Sequence, residues 1–312
     1  MKTVKDFIWH ENMSVEELVD SFNSLGFQAI ELAEASKVIV NMKKNNAKIF
    51  LAFTSNMVTS GLRGFFAQLC KLKLPNILVT TSGSIEEDII KSFGGKFEIS
   101  NFNVDDNALH ERGENRIGNL IVHTTEYMKF EDEMTKILEK IYQKKQRISS
   151  SELLYEIGLM LNDENSILYQ ASKNNIPIYC PGIADSSFGF QLYMFQQKHK
   201  DFVVDTIKDM ERVTIDLSFD EKKGLISLGG SISKHYAVFA ALLSGGFDYA
   251  VYMTTSHSSS GSMSGATTQE AKSWGKLKDD SQAATVIGDV SITFPLVMTA
   301  TLDKLKKENM LE

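Results

Sequence analysis

The chain has 312 residues, of which 43% are hydrophobic and 23% charged, and its formal net charge is −7. This balance is typical of a globular protein with a full hydrophobic core, organised as one large domain or two average ones. The negative charge argues against nucleic acid as the main partner, because phosphate binding needs a basic face.

Targeting and metal-binding signals are missing from the sequence. The N-terminal segment lacks a basic region followed by an apolar run, and no segment reaches the roughly 18 apolar residues of a membrane helix. The two cysteines, Cys70 and Cys180, are far apart, and the six histidines are scattered. We therefore expect a cytoplasmic protein without a membrane span, a disulfide framework or a bound metal.

Helical and strand patterns alternate along the chain. Residues 14–44 predict amphipathic helices that pack on a sheet or on a neighbouring subunit, and 131–144 and 202–213 also have helical spacing. Near-continuous apolar runs predict strands that are covered on both faces. We therefore expect one α/β domain, 1–312, with a doubly wound, mostly parallel, Rossmann-like sheet and helices on both faces. The predicted strands are 49–53, 77–81, 120–122, 176–180, 225–228, 249–253 and 285–287.

Small polar loops follow six of these strands and lead into helices. Examples are TTSGSIEED after the strand at 77–81 and SLGGSISKH after Ile226. In an open α/β sheet, ligands bind beyond the carboxyl ends of the strands, where backbone N–H groups and helix N-termini receive phosphates. The GxGxxG fingerprint and the Walker A motif are both absent, so these residues alone leave the cofactor open.

Lys276 and His235 are the candidates for covalent and acid–base chemistry. Lys276 follows a Gly/Ser-rich segment and lies close to Trp274, and a lysine amine is a useful nucleophile where an apolar wall desolvates it. The alternative is a surface lysine beside a core tryptophan. His235 follows GGSISK at a helix start, where it is either an acid–base group or a helix-end histidine bonded to local backbone.

Acidic residues also occur at the predicted strand ends. Glu86, Glu87 and Asp88 follow TSGS at a helix start, where they either complement the helix dipole or form an anionic clamp for an amine or a ribose hydroxyl. Asp185 and Asp289 each come just after a strand. Either residue could bind ribose hydroxyls or cap a helix.

Taken together, these motifs resemble the deoxyhypusine synthase family. The similarity extends from about Ser21 to Leu305, and the combination of TTSGSIEED, GGSISKH and EAKSWGK is a specific signature. The matching strings are SFNSLGFQA (21–29), FTSNMVTSG (53–61), VTTSGSIEEDIIK (79–91), NRIGNL (115–120), IADSSFG (183–189), LGGSISKH (228–235), DYAVY (248–252), GSMSGA (261–266) and EAKSWGK (270–276).

The resemblance implies a homotetrameric transferase that uses NAD without net redox change. NAD oxidises spermidine, the butylamine part passes to an enzyme lysine as an imine, and a lysine of a translation factor precursor accepts it. Lys276 would be the covalent lysine, Trp274 the pocket wall and His235 the acid–base residue. The implied amine contacts are Glu86, Glu87 and Glu270. The implied NAD contacts are Ser55, Asn56, Thr59, Thr81, Ser82, Gly83, Glu87, Asp185, Gly230, Thr255, Ser256, Asp289 and Val290.

Two positions depart from the family pattern. Phe190 and Met263 stand where the spermidine enzymes usually carry aspartates that contact the amine. Losing the buried partner of an ammonium costs several kcal/mol. A relative that uses a different amine donor, or a small-amine acceptor, is therefore the second hypothesis. A catalytically silent NAD-binding protein is the third, but a site kept only for binding would not need Lys276.

Overall fold

A computed structural model describes residues 3–215, 217 and 219–311 of the chain. The chain forms two compact units, and each is described by itself. The first unit comprises the described residues of Met1–Thr54, Leu72–Thr80 and Lys208–Glu312. The second unit comprises Ser55–Lys71 and Thr81–Ile207.

Strands and helices alternate through most of the described chain. The strands are β1 Lys48–Phe53, β2 Ile77–Thr80, β3 Phe97–Ile99, β4 Glu114–Ile117, β5 Leu120–His123, β6 Arg147–Ser149, β7 Ile178–Tyr179, β8 Val203–Asp205, β9 Lys223–Leu228, β10 Phe247–Thr254 and β11 Leu277–Ile287. The α-helices are α1 Val15–Ser21, α2 Gln28–Lys44, α3 Ser55–Met57, α4 Arg63–Lys71, α5 Ser82–Ser92, α6 Asp106–Glu111, α7 Thr124–Lys144, α8 Ser150–Met160, α9 Ile167–Lys173, α10 Ser187–Lys198, α11 Lys208–Ile215, α12 Ser231–Leu242, α13 Thr268–Ser273 and α14 Val290–Lys307.

The first unit is built on a parallel sheet with the strand order β11-β10-β9-β1-β2. Every residue of β2 and β9 is buried, and β1 and β10 have one less-buried residue each. Strands buried along their whole length are covered on both faces, as their continuous apolar runs predict. The predicted α/β class with a mostly parallel sheet is confirmed. The finer Rossmann-like winding stays a prediction.

Helix α2 covers the outer strand of this sheet. It packs on β11 and on α14, and its buried side is formed by small and apolar residues such as Ala35 and Ile39. Its first turn also bonds the strand directly. Gln28 accepts the backbone N–H of Ile287 at 2.7 Å, and Glu31 accepts that of Thr285 at 3.1 Å. These donors of β11, which point away from β10, are therefore bonded within the chain.

The second unit corrects two details of the sequence-based assignment. The predicted strand at 120–122 belongs to β5, which pairs antiparallel with β3 and β4 instead of joining the parallel sheet. The reason is a tight turn at Gly118, whose φ of +62° suits glycine and joins β4 to β5 as a hairpin. The predicted helix at 202–213 is also wrong in its first part, because β8 pairs with β6 there. Within this predicted range, the helix α11 begins only at Lys208.

None of the helices in the described ranges is long and apolar enough to cross a membrane. The longest, α7, has 21 residues, but charged side chains occur along its exposed side. Its buried side is formed by apolar residues at helical spacing, among them Phe130, Met134 and Leu138. This periodicity is the signal from which a helix was predicted at 131–144.

Candidate functional site

Lys276 is positioned by the C-terminal end of α13. Gly275 follows the helix with a φ of +67°, a left-handed conformation that favours glycine. Its N–H donates to the carbonyl of Lys272 at 2.9 Å, and the N–H of Lys276 donates to the carbonyl of Ala271 at 3.0 Å. These two bonds form a Schellman motif, which ends the helix and fixes the backbone of Lys276.

Lys276 lies in a pocket of about 250 Å³ in the first unit. Its ammonium is 5.0 Å from the centre of the Trp274 ring, a cation–π distance. Trp274 is 65% exposed, so it is not the core tryptophan of the structural alternative. The residues that line the pocket are Lys234, His235, Val238, Tyr252, Met263, Ala266, Thr267, Glu270, Ala271, Trp274 and Lys276. The four first-unit residues proposed for covalent, acid–base and amine contacts are thus brought together.

His235 reaches this pocket from the first half of α12. Its ring is exposed and stacks on Phe239, with the ring centres 6.3 Å apart and the planes 11° apart. No hydrogen bond among the described residues uses a ring nitrogen of His235, which excludes the alternative of a histidine bonded to the helix end. Both nitrogens can therefore accept or donate a proton toward a bound molecule.

Lys234 is a pocket residue that the sequence analysis missed. Its side chain is 1% exposed, and its ammonium donates to the carbonyls of Met263 at 3.0 Å and Ala266 at 2.8 Å. The same ammonium lies 3.9 Å from the centre of the Tyr252 ring. Burial lowers the pKa of Lys234 to about 8; nearby Glu270 opposes this effect, and Lys276 adds to it.

A periodic signal could have identified Lys234. Ala237, Val238 and Ala241 are buried on the inner side of α12, and Lys234 precedes them at spacings of three, four and seven. A lysine in the apolar stripe of a helix must find acceptors in the interior. The motif GGSISKH identifies Lys234 only as the residue before His235.

The first-unit residues proposed as NAD contacts lie at the carboxyl ends of three strands. Gly230 follows β9, Thr255 and Ser256 follow β10, and Asp289 and Val290 follow β11. A Cβ atom on Gly230 would lie 2.3 Å from the Cα of Ser264, so only glycine fits there. Asp289 is the N-cap of α14, where it accepts the N–H of Ser291 at 2.8 Å. Asp289 therefore caps a helix, which is one of the two roles considered for it, and its side chain is exposed.

In the second unit, a second group of predicted residues surrounds the start of α5. The N–H of Ser55 donates to the Thr81 hydroxyl at 3.1 Å, and the Ser82 hydroxyl donates to the carbonyl of Ile183 at 2.9 Å. A Cβ on Gly83 would lie 2.9 Å from the Cβ of Ser55, so the missing side chain permits this close approach. Asn56 is exposed beside this group.

Glu86 and Glu87 lie in the second turn of α5 and are buried. Their depth excludes the alternative of exposed acids that complement the helix dipole, because that effect belongs to the first turn. Both oxygens of the Glu87 carboxyl contact the Thr59 hydroxyl, at 2.8 and 2.6 Å. Burial raises the pKa of Glu87 to about 7, against the opposing effects of Thr59 and Lys91. Burial also raises the pKa of Glu86, against the N–H of Phe188.

The other acids of this unit have different surroundings. Asp88 has structural partners, because Arg63 contacts it at 2.5 Å and the N–H of Leu168 donates to it at 2.8 Å. Asp185 is exposed and does not cap α10, because Ser186 is the N-cap. Phe190, one of the two departures from the family pattern, is 55% exposed on α10.

Within residues 3–215, 217 and 219–311, no three histidine, cysteine, aspartate or glutamate side chains are grouped as metal ligands. The pocket of the first unit contains a lysine, a histidine and a glutamate. The second unit, taken by itself, contains the buried carboxyl groups of Glu86 and Glu87.

Solved structures share the fold. The crystal structure of a candidate deoxyhypusine synthase from Entamoeba histolytica has a TM-score of 0.67 at 24% identity, and the match covers 96% of this chain and 97% of that one. A ternary complex of AgrE with ornithine and NAD+ has a TM-score of 0.55 at 12% identity, over 89% of this chain and 34% of that one. At these identities the likeness is one of fold alone.

Sequence comparison identifies the family. The family model for deoxyhypusine synthase matches residues 17–301. A protein described as a probable deoxyhypusine synthase from Thermoplasma acidophilum is 37% identical over 304 residues, which cover 96% of this chain and 97% of the relative. A protein with the same description from Schizosaccharomyces pombe is 38% identical over 309 residues, with 94% and 88% covered. The chain therefore belongs to the deoxyhypusine synthase family, a family of transferases.

Proposed function

We propose that the chain is an NAD-dependent transferase of deoxyhypusine synthesis. It takes the butylamine part of spermidine, holds it on Lys276 as an imine, and passes it to a lysine of a translation factor precursor. The observation that carries this proposal is the pocket in which Lys276 and Trp274 meet His235 and Glu270. An imine-forming lysine needs an acid–base partner close by, and His235 lines the same pocket.

Each unit contains residues of the kinds that contact a dinucleotide. Helices α5 and α12 begin without a hydrogen bond from an N-cap side chain, and helix N-termini are sites that receive phosphates. A glycine stands at each start, and a Cβ on Gly83 or Gly230 would meet a neighbour at 2.9 or 2.3 Å. In the second unit, the proposed NAD contacts are Ser55, Asn56, Thr59, Thr81, Ser82, Gly83, Glu87 and Asp185. In the first unit, they are Gly230, Thr255, Ser256, Asp289 and Val290.

NAD, when bound, would supply the redox chemistry, which is oxidation of the carbon beside the secondary amine nitrogen by hydride transfer and the matching reduction at the end. The other steps belong to the chain's own residues. The Lys276 amine attacks the resulting imine carbon, and the bond to the leaving diamine breaks as that nitrogen takes a proton. His235 is placed to move this proton, and Glu270 to hold a cationic end of the substrate. The acceptor lysine then displaces Lys276 from the imine.

A second candidate function is transfer from another amine donor, or to a small-amine acceptor. Met263 favours this candidate, because it lines the Lys276 pocket with a thioether where the family places an amine-binding carboxylate. The exposed ring of Phe190 stands at the other such position. A less charged or shorter amine would lose less by these two replacements.

The proposal also includes the oligomeric state of the protein and its location in the cell. A homotetramer is implied by the family resemblance, and its mass in solution would be that of four 34.9 kDa chains. A monomer at micromolar concentration would contradict it. A reducing cytoplasm suits Cys70 and Cys180, which are both buried and outside any disulfide bond.

The test is borohydride trapping followed by intact-mass analysis. The protein is supplied with NAD and a panel of amines, each with and without the translation factor precursor. We expect the mass of a reduced aminobutyl adduct on Lys276 with the productive donor, and none in Lys276→Arg, which keeps the charge but cannot form the imine. Normal product formation by Lys276→Arg would end the covalent-lysine proposal. Adducts formed only with other amines would favour the second candidate.

A further inference from the structure

The hydroxyl of Tyr252 is buried and has no hydrogen-bond partner among the described residues. Tyr252 belongs to β10, is 1% exposed, and lines the pocket that contains Lys276. A buried hydroxyl without a partner lowers the stability of a protein, because it has lost its bonds to water and gained none in return. Folded proteins keep few such groups, and a departure of this kind is expected mainly at a functional site.

Lys234 fixes the ring of Tyr252 in this position. Its ammonium lies 3.9 Å from the centre of the ring, and it also donates to the carbonyls of Met263 and Ala266. An ammonium carries three protons, so two carbonyls and one ring face account for all of them. Lys234 is therefore fully bonded, whereas the hydroxyl of the ring that it covers is not.

A second buried hydroxyl, that of Ser227, differs from the first in its relation to the pocket. Ser227 on β9 is the register partner of Tyr252, is 1% exposed, and also has no hydrogen-bond partner in the described part of the chain. Tyr252 lines the pocket, and Ser227 does not. A molecule in the pocket would thus contact Tyr252 and not Ser227, which makes Ser227 a matched control.

The charges around Tyr252 limit which atom its hydroxyl can bond. Burial raises the pKa of the phenol, so it keeps its proton and can donate. The titratable groups that line the pocket with it are Lys234 and His235 from α12, Glu270 from α13, and Lys276. Lys234 lies on the ring itself, and a second ammonium beside it would be repelled. The hydroxyl therefore suits an uncharged acceptor better than a cation.

We propose that Tyr252 is a substrate contact whose hydroxyl donates a hydrogen bond to the unprotonated reacting nitrogen of the bound amine. The inference deepens the proposed function and rests on it, because it takes the substrate to be an amine. Unprotonated nitrogens are the acceptors that an alkyl polyamine offers. The nitrogen beside the oxidised carbon must be unprotonated, because its lone pair stabilises the positive charge that develops there. The hydrogen bond favours this form of the substrate, and no covalent bond is made or broken by it.

The first measurement needs no ligand and compares the stability of the free full-length protein in denaturant. Tyr252→Phe removes the hydroxyl and keeps the ring beneath Lys234, and Ser227→Ala removes the control hydroxyl. Because both hydroxyls are unpaired in the free protein, we expect neither variant to be less stable than the wild-type protein. A clear loss of stability in Tyr252→Phe would show that its hydroxyl is already bonded, for instance to a buried water, and would overturn the proposal.

The second measurement is the rate of adduct formation on Lys276, trapped with borohydride in the presence of NAD and spermidine at a series of pH values. In the wild-type protein we expect the rate to rise with pH as the reacting amine loses its proton. Tyr252→Phe lacks the bond to the unprotonated form, so at neutral pH its rate should fall about fivefold, the worth of one neutral hydrogen bond. The same loss raises the midpoint of the pH profile by about 0.7 pH unit. Ser227→Ala should match the wild-type protein in both respects.

The shift of the midpoint separates a substrate contact from a structural role. His235, Glu270 and Lys276 are present in the wild-type protein and in both variants, so their titration does not produce a difference between the profiles. If Tyr252→Phe slows adduct formation equally at every pH, or matches the wild-type protein throughout, the proposal is overturned while the proposed function stands. If the wild-type protein itself forms no adduct with any amine, the proposed function fails and the contact fails with it.

Discussion

Replacing Lys234 by methionine should remove a specific pH dependence from the stability of the protein. Lys234 is a buried ammonium whose pKa falls to about 8, compared with 10.5 for an ordinary lysine. The difference corresponds to about 3 kcal/mol, because each pKa unit is worth about 1.4 kcal/mol. The folded state binds fewer protons than the unfolded state between these two values. Stability therefore rises with pH from about 8 to about 10.5, and the full penalty is present below that window.

Lys234→Met keeps most of the apolar side chain but loses both the charge and the donors. The carbonyls of Met263 and Ala266 then lack a partner, and each buried unsatisfied acceptor costs about 1–3 kcal/mol. Near pH 7 this loss is largely offset by removal of the buried charge. By about pH 10 Lys234 is already neutral in the wild-type protein, so its removal brings no such gain. We therefore expect Lys234→Met to destabilise the protein by about 2–3 kcal/mol more at that pH than near pH 7.

Denaturant unfolding at fixed protein concentration, from about pH 7 to about pH 10, measures this difference. Lys129→Met is the matched control, because Lys129 is exposed and pairs with Glu126 on one helix turn. Its stability should run parallel to that of the wild-type protein at every pH. The reasoning is refuted if the curve of Lys234→Met also stays parallel to the wild-type curve across the window.

Two further substitutions test the candidate site. Asp289→Ala should weaken NAD affinity and, because Asp289 also caps α14, lower stability by about 1 kcal/mol; titration with NAD that gives an unchanged affinity would remove Asp289 from the cofactor site. Phe190→Asp combined with Met263→Asp should improve spermidine use by about one to two decades in kcat/KM for each restored charge-assisted bond, since each is worth about 1.5–3 kcal/mol. Efficient spermidine cleavage by the unmodified protein, with no gain in the double variant, would show that other groups compensate for the two departures.

Much of the first unit could be predicted from the sequence, because β1, β2, β9 and β10 are buried along nearly their whole length. A run such as Ile49–Phe53 is continuously apolar, and this pattern indicates a strand covered on both faces without knowledge of its neighbours. The grouping of Lys276, His235, Trp274 and Glu270 also followed from motifs, although only through a family resemblance. From residue spacing alone, an ordinary structural role explained each of these residues as well as a functional one did.

The remaining features depend on contacts between distant parts of the chain. The run at Leu120 is too short to reveal its direction, and the turn at Gly118 made it antiparallel. The contact between Thr59 and Glu87 joins positions 28 residues apart and arises only once the turn before α4 packs against α5. The burial of Lys234 likewise requires the carbonyls of a turn about 30 residues later in the chain.

The way in which α2 covers β11 restricts how copies of this chain can associate. An outer strand normally offers a row of free N–H and C=O groups, onto which a strand of another molecule can add. Gln28 and Glu31 already bond the N–H groups of Ile287 and Thr285, near the carboxyl end of the strand. A continuous intermolecular sheet is therefore blocked at this end of β11. An oligomer that is joined at this end of β11 would have to use side chains of helices and loops, and strand addition is disfavoured there.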